Sequence, residues 1–264
     1  DFTSSDRTRC CVLGVNAYPN SIDLFLAGTD LPLMRKRNHE QWASNYERYH
    51  QNRYTTTIDI VDNYEPDGIV LDVGSAPFHL TNRLDNIDYE VIGIDRNPNR
   101  LGEYIRQNEL QIITLDIERC NFPFEDNSVE FIIFTEVLEH LYVNPLHTLR
   151  EMNRILVDDG HLLLSTPNLY SIFNIGKFCL GRGLTPVYDE FKKFEDLGHR
   201  GHIRIYSMSE IEEMLTEVGL KTVSKEHHQF EYEKFGQFPI RKNIAHFVLK
   251  IFPQLSDTNI IIAQ

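Results

Sequence analysis

Ile69-Val70-Leu71-Asp72-Val73-Gly74-Ser75-Ala76-Pro77-Phe78-His79-Leu80 carries the strongest fold signal in the chain. An apolar run leads into an acid, then a glycine and small residues, then a polar and aromatic segment. That is how a buried parallel strand breaks into a tight turn beside a ligand. Gly74 lets the backbone approach a bound group, and Ser75 and Ala76 keep the next positions small. A helix starting within Leu80 to Leu84 would point its free N–H groups back at that turn.

The next two apolar runs follow the same plan. Val91-Ile92-Gly93-Ile94 ends on Asp95, and Ile112-Ile113-Thr114-Leu115 ends on Asp116, so the acids fall 23 and 21 residues apart. Such spacings fit a strand, a turn, a helix and a return, delivering three carboxylates to one edge of a parallel sheet. Val129 to Phe134 reads as a fourth buried strand with Thr135 opening its turn. Asn144 and Pro145 then cap and start a helix whose inward face is Leu146, Leu149, Met152 and Leu156. Asp158-Asp159-Gly160 is read as its stop, and His161 to Asn168 as a fifth strand. Ser207 and Glu210 have capping-box spacing ahead of a helix ended by Gly219. Lys221 to Ser224 and Thr258 to Ala263 are the last strand candidates, separated by a partly helical insert.

The alternation predicts an α/β fold: a doubly wound, seven-stranded, Rossmann-like sheet, mostly parallel, with helices on both faces. We read 1–264 as a single domain. Residues 1–65 form an N-terminal extension and helical cover, 66–167 the core that binds the cofactor, 168–206 an insert covering the substrate, and 207–264 the rest of the sheet. No role follows from residues 1–35. From Asn38 the pattern turns helical, with Trp42, Tyr46, Tyr49 and Tyr54 on a face needing a partner. Two readings stay open: a helix packed on the sheet edge, or a lid whose Tyr46, Arg48 or Tyr49 touches a ligand.

Composition narrows the class. Of 264 residues, 41% are hydrophobic, and 26 Lys+Arg against 39 Asp+Glu give −13. Beyond Arg35-Lys36-Arg37 there is no basic block, so a nucleic-acid partner is not expected. Cys10, Cys11, Cys120 and Cys179 form neither a metal-ligand spacing nor a secreted framework, and free thiols in a reducing cytoplasm are expected. No apolar run reaches membrane-spanning length, and no signal segment opens the chain.

From about Asp59 onward the ordered motifs LDVGSAPF, IGIDRNP, TLDIERCNFPFEDNSVEFIIFTEVLEHL, REMNRILVDDGHLLLSTPN and GHIRIYSMSEIEEMLTEVGL resemble the class I S-adenosylmethionine-dependent methyltransferases. The resemblance implies a final antiparallel hairpin and S-adenosylmethionine as cofactor. It implies cofactor-binding roles for Asp72, Gly74, Ser75, Ala76, Asp95, Arg96, Asp116, Ile117 and Thr135. Asp72 would order the turn, and Gly74 with its small neighbours would admit the methionine end. Asp95 would accept both ribose hydroxyls, a two-point task suited to a carboxylate. Asp116 would accept from the adenine amino group with Ile117 against the ring, and the Thr135 carbonyl would face the methionine ammonium. The family's turn carries glycines at alternate positions, where Ala76 and Phe78 stand here. Phe78 is therefore expected to bring a ring near the methionine or ribose portion.

Methyl transfer to a hydroxyl benefits from a base, and His140, just beyond the fourth strand, is the candidate catalytic residue, with Glu136 or Glu139 orienting it. A helix-start histidine bonded to backbone is the competing reading. Tyr170, His199, His202, Arg204 and Tyr206 are candidates to bind the acceptor. His199 and His202 lack a third ligand in sequence, so no metal is expected. The turn lacks the tetrad of amino-directed nucleic-acid methylases and a Pro-Cys nucleophile. The insert is similar to that of the branch acting on sugars and other small hydroxylated molecules, which implies O-methylation of a small-molecule acceptor. The alternatives are a non-catalytic module that keeps the fold, motivated by Phe78, and a nicotinamide-dependent Rossmann enzyme. The latter is disfavoured because Ala76 and His79 stand where its fingerprint needs glycine.

Overall fold

β1 (Val70–Val73) is buried along its whole length, and its alternate side chains serve opposite faces of one sheet. The computed structural model describes residues 36–185, 201–230 and 239–264, with Tyr188 and Lys192. Beside β1 lie β2 (Val91–Asp95), β3 (Ile112–Thr114), β4 (Val129–Thr135), β5 (Leu156–Pro167), β6 (Thr222–His228) and β7 (Thr258–Ala263). Their order is β3-β2-β1-β4-β5-β7-β6. The first five pair in parallel, and β7 runs antiparallel to both β5 and β6, the expected seven-stranded sheet with a closing hairpin.

The helices are α1 (Lys36–Tyr49), α2 (Gln51–Tyr64), α3 (His79–Asp85), α4 (Gly102–Gln107), α5 (Pro145–Ile155), α6 (Ile172–Cys179), α7 (Met208–Glu217) and α8 (Pro239–Ile251). On one sheet face Leu71, Ile132 and Leu164 pack with Leu149 and Met152 of α5 and with Ile211 and Leu215 of α7. On the other, Val70, Phe131 and Ile262 pack with Tyr54 and Val61 of α2 and with Leu80 and Leu84 of α3. Burial on both faces is why these strands read as apolar runs, not as an in-out alternation.

Local signals placed several boundaries correctly. The Asn144 side chain accepts the His147 N–H at 3.1 Å, and Ser207 and Glu210 form the reciprocal capping box. Three readings need correction. The helical stretch from Asn38 is broken at His50 into α1 and α2, and α2 stops at Tyr64, where Glu65 turns left-handed before Pro66. β5 begins at Leu156, well before His161, because the chain leaves α5 directly into the sheet and absorbs Val157 to Gly160 in an irregular register against β4. Cys179 is free and exposed, but Cys120 is disulfide-bonded, which corrects the reading of four free thiols. Among the described residues no helix is long and apolar enough to cross a membrane.

Residues 168–206 leave and re-enter the sheet edge at one point. The Leu169 N–H donates to the Tyr206 carbonyl at 3.0 Å, and Asn168 bridges to Tyr206 as an isolated parallel pair. The Asn168 amide also donates to the carbonyls of Gln254 and Ser256, so the neck of the excursion is fixed from two sides.

Candidate functional site

The strand order reverses between β1 and β4, and an open doubly wound sheet leaves a crevice beyond the carboxyl ends there. A cleft of about 530 Å³ lies at that position, within the range of small-molecule sites. Asp72, Gly74, Ser75, Ala76, Asp95, Arg96, Asp116, Ile117, Thr135, His140 and His202 all border it, so the structure brings these sequence candidates together.

The turn after β1 is held by the neighbouring strand. The N–H groups of Gly74 and Ser75 and the Ser75 hydroxyl all donate to the Ile94 carbonyl, at 2.8, 3.0 and 3.2 Å. Gly74 has φ +79, and a Cβ there would sit 2.3 Å from a Val137 methyl. Its glycine therefore lets the β4 turn close on the β1 turn. Gly74→Ala is expected to cost about 1–3 kcal/mol in urea unfolding, with Val137→Ala recovering the steric part and not the backbone strain.

Phe78 does not approach the cleft. It is fully buried at φ +70 among Ala43 of α1, Leu101, Ile105 of α4 and Ile112, so the expectation of a ring beside the ligand is corrected. The left-handed backbone at Phe78 swings the side chain behind the turn, and Ala76 and Pro77 remain on the cleft side.

Asp72 is buried and accepts the Thr81 hydroxyl at 2.6 Å. Burial pushes its carboxyl up to about 6; the Thr81 bond opposes this and the Asp95 charge adds to it. A carboxyl raised in the folded state stabilises the fold below its unfolded pKa, and that contribution is lost as pH rises through about 6. Asp72→Asn is thus expected to gain up to about 3 kcal/mol over the wild type, in the ligand-free protein, between pH 4 and 8. A cationic ligand favours the ionised form, so its affinity should weaken as pH falls below about 6, a trend that Asp72→Asn abolishes in calorimetry.

Asp95 accepts the Asn97 N–H at 2.7 Å and pairs with Arg100 at 3.2 Å, and Arg100 lies over the Trp42 ring of α1. Asp116 pairs with Arg119 at 3.1 Å and with Arg96 at 3.7 Å. Sequence reasoning missed Arg53, Tyr54, His50 and Arg100, which also border the cleft. Arg53 donates to the Tyr46 hydroxyl and pairs with Glu136 at 3.3 Å, tying α1 and α2 to the β4 turn. The aromatic spacing was the available signal: Ala43 packs on the sheet edge, as the first reading of this helix has it, and Trp42 and Tyr46 border the cleft. Tyr49 is exposed. Glu118 was also missed; its carboxylate accepts the N–H groups of Tyr142, Val143 and Asn144 and fixes the entry to α5.

At the far end, Glu139 is buried with its carboxyl raised well above the ordinary range by burial and by Glu136. His140 Nδ1 lies 3.2 Å from the Gly201 carbonyl, the backbone bond anticipated for it, and its ring meets His202 edge-on at 4.9 Å. The other acceptor candidates are not gathered here. Tyr170 is exposed, Arg204 is exposed and paired with Glu210 at 2.6 Å, and Tyr206 is buried in the core. His199 lies outside the described residues.

Among the described residues Tyr54 Oη and Arg100 Nε and, at the far end, Glu139 Oε1 are buried without a hydrogen-bond partner, and all three residues border the cleft. A bound polar molecule would satisfy such atoms, whereas leaving them unpaired costs stability.

A family described as a methyltransferase domain matches residues 34–225. An uncharacterised protein of Methanocaldococcus jannaschii is 26% identical over 200 residues, spanning 71% of this chain and 76% of its own. A SAM dependent methyltransferase from Archaeoglobus fulgidus is similar in structure, with a TM-score of 0.58 at 14% identity over 82% of this chain and 96% of that one. Phosphoethanolamine N-methyltransferase 2 of Haemonchus contortus, in complex with S-adenosyl-L-methionine, has a TM-score of 0.55 at 13% identity, over 83% of this chain and 55% of that one. At these identities the two structures are shared fold.

Proposed function

The chain belongs to the methyltransferase-domain family, and from that premise we propose that it transfers the methyl group of S-adenosylmethionine to a hydroxyl oxygen of a small molecule. The observation that carries the reading is the convergence of Asp72, Asp95 and Asp116 on one cleft whose lining also leaves buried polar atoms unpaired. When bound, S-adenosylmethionine supplies a sulfonium-activated methyl group.

Asp95 has two carboxylate oxygens for a diol, and the Arg100 contact holds it in place. Asp116, anchored by Arg119, and Ile117 beside it suit the base. The Asp72 carboxylate and the Thr135 carbonyl favour positive charge at the end near Gly74, where a phosphate would be repelled. Residues 168–206 cover the acceptor, and their docked end delivers His202 beside His140. At that end the His140 imidazole takes the proton of the acceptor hydroxyl, while alignment supplies much of the remaining rate.

The test is transfer of labelled methyl from S-adenosylmethionine to a panel of sugars and small polyols, followed by product analysis. O-methylated product is expected. Methyl on nitrogen would discard the hydroxyl acceptor, and labelled donor that stays intact with every acceptor would favour the non-catalytic module.

A further inference from the structure

The acceptor end of the cleft gathers three ligand-type side chains that methyl-donor binding does not use. Glu139 and His140 lie in the single 3-10 turn Leu138–His140 after β4, and His202 arrives from the docked end of the 168–206 insert. That segment is docked by the Ile203 N–H, which donates to the Glu139 carbonyl at 2.8 Å. Glu139 is fully buried. Its Oε2 accepts the Thr166 hydroxyl at 2.9 Å, and its Oε1 has no hydrogen-bond partner among the described residues. That oxygen lies 3.8 Å from His140 Nε2 and 3.9 Å from His202 Nε2. One ligand atom from each of the three lies within 4.8 Å of the others.

We propose that Glu139, His140 and His202 bind one divalent first-row cation of the zinc type, with open coordination positions facing the acceptor. Two imidazole nitrogens and one carboxylate oxygen are an established donor set for such ions, and a three-residue site leaves room for a further ligand. Bonds of about 2.0–2.2 Å require the three atoms to close by roughly an ångström, a side-chain adjustment. The supporting contacts suit coordination. The His140 Nδ1 proton on the Gly201 carbonyl makes Nε2 the lone-pair nitrogen, and the Thr166 hydroxyl orients the carboxylate. A cation also compensates a buried carboxylate oxygen that no described residue hydrogen-bonds. Adjacency of Glu139 and His140 is visible in sequence, but the third ligand is 62 residues further on and is supplied by the fold.

The role assigned to the ion rests on the proposed O-methylation. An acceptor hydroxyl coordinated there loses its proton to solvent more readily. Its oxygen lone pair forms the new C–O bond as the C–S bond breaks with its electron pair passing to sulfur. His140 then acts as a ligand in place of a free base.

The experiment uses the full chain stripped with EDTA. Zn2+ is titrated calorimetrically, and Co2+ reports coordination by its visible absorption. One equivalent should bind, and Glu139→Gln and His202→Ala should each weaken Zn2+ by at least about a hundredfold, with folding checked by circular dichroism and S-adenosylhomocysteine affinity changed by less than about twofold. Glu139→Gln keeps the side-chain volume, and His202 is partly exposed, so the pair guards against a folding artefact. Absence of Zn2+ binding at sub-millimolar concentration, or wild-type Zn2+ affinity in both variants, overturns the site. Full-rate methyl transfer by the stripped enzyme overturns the ion's role and leaves the donor reading intact. Stoichiometric Zn2+ binding with methyl found only on nitrogen supports the site and overturns the hydroxyl acceptor.

Discussion

Alanine at position 140 is expected to lower kcat by about 10²–10⁴ while S-adenosylmethionine affinity stays nearly unchanged. The split follows from where the groups sit. The residues assigned to the donor come from the ends of β1, β2, β3 and β4, whereas His140 lies in the turn after β4 against Glu139, Gly201 and His202. Its removal leaves Asp72, Asp95 and Asp116 with their own partners intact. The loss should appear in single-turnover rates as well as steady state, which separates chemistry from product release. A full-rate His140→Ala enzyme would mean that alignment alone suffices or that the proton leaves by another route.

The second large effect is on binding. Asp95→Ala is expected to weaken S-adenosylmethionine by about 10–100-fold, since two hydrogen bonds to a charged acceptor are lost. The same change strands the Arg100 guanidinium, which is largely buried under Trp42. Some loss of stability is therefore expected with it. Asp95→Asn keeps the shape and one acceptor for the Asn97 N–H, so it should fold normally and still bind less tightly. Calorimetry on both variants, with unfolding curves alongside, separates the two contributions.

The acidic lining of the cleft was legible because it is written at strand ends. A parallel strand buried on both faces is an apolar run, and polar residues gather where it ends at the carboxyl edge: Asp72 is the last but one residue of β1, Asp95 and Thr135 end β2 and β4, and Asp116 stands two residues past β3. The caps at Asn144 and Ser207 were legible because capping is local. The roles of Arg53 and Tyr54 were not, since they depend on the break at His50 and on how α2 lies across the sheet. Phe78 was misread by assuming that its side chain follows the family's turn, when a positive φ sends it into the core. Tyr206 and Arg204 sit in the same short segment as His202, and only the fold decides that one is buried, one turns to Glu210 and one meets His140. The cation site has the same origin: its third ligand is contributed by the docking of a distant segment on the Glu139 carbonyl.

Whether this cleft holds S-adenosylmethionine is decided by calorimetric titration of the purified chain with S-adenosylhomocysteine and, separately, with NADH. One equivalent of S-adenosylhomocysteine should bind, more weakly below about pH 6 as Asp72 takes up its proton, and NADH should give no heat of binding. Saturable binding of NADH by a protein that ignores S-adenosylhomocysteine would contradict the account.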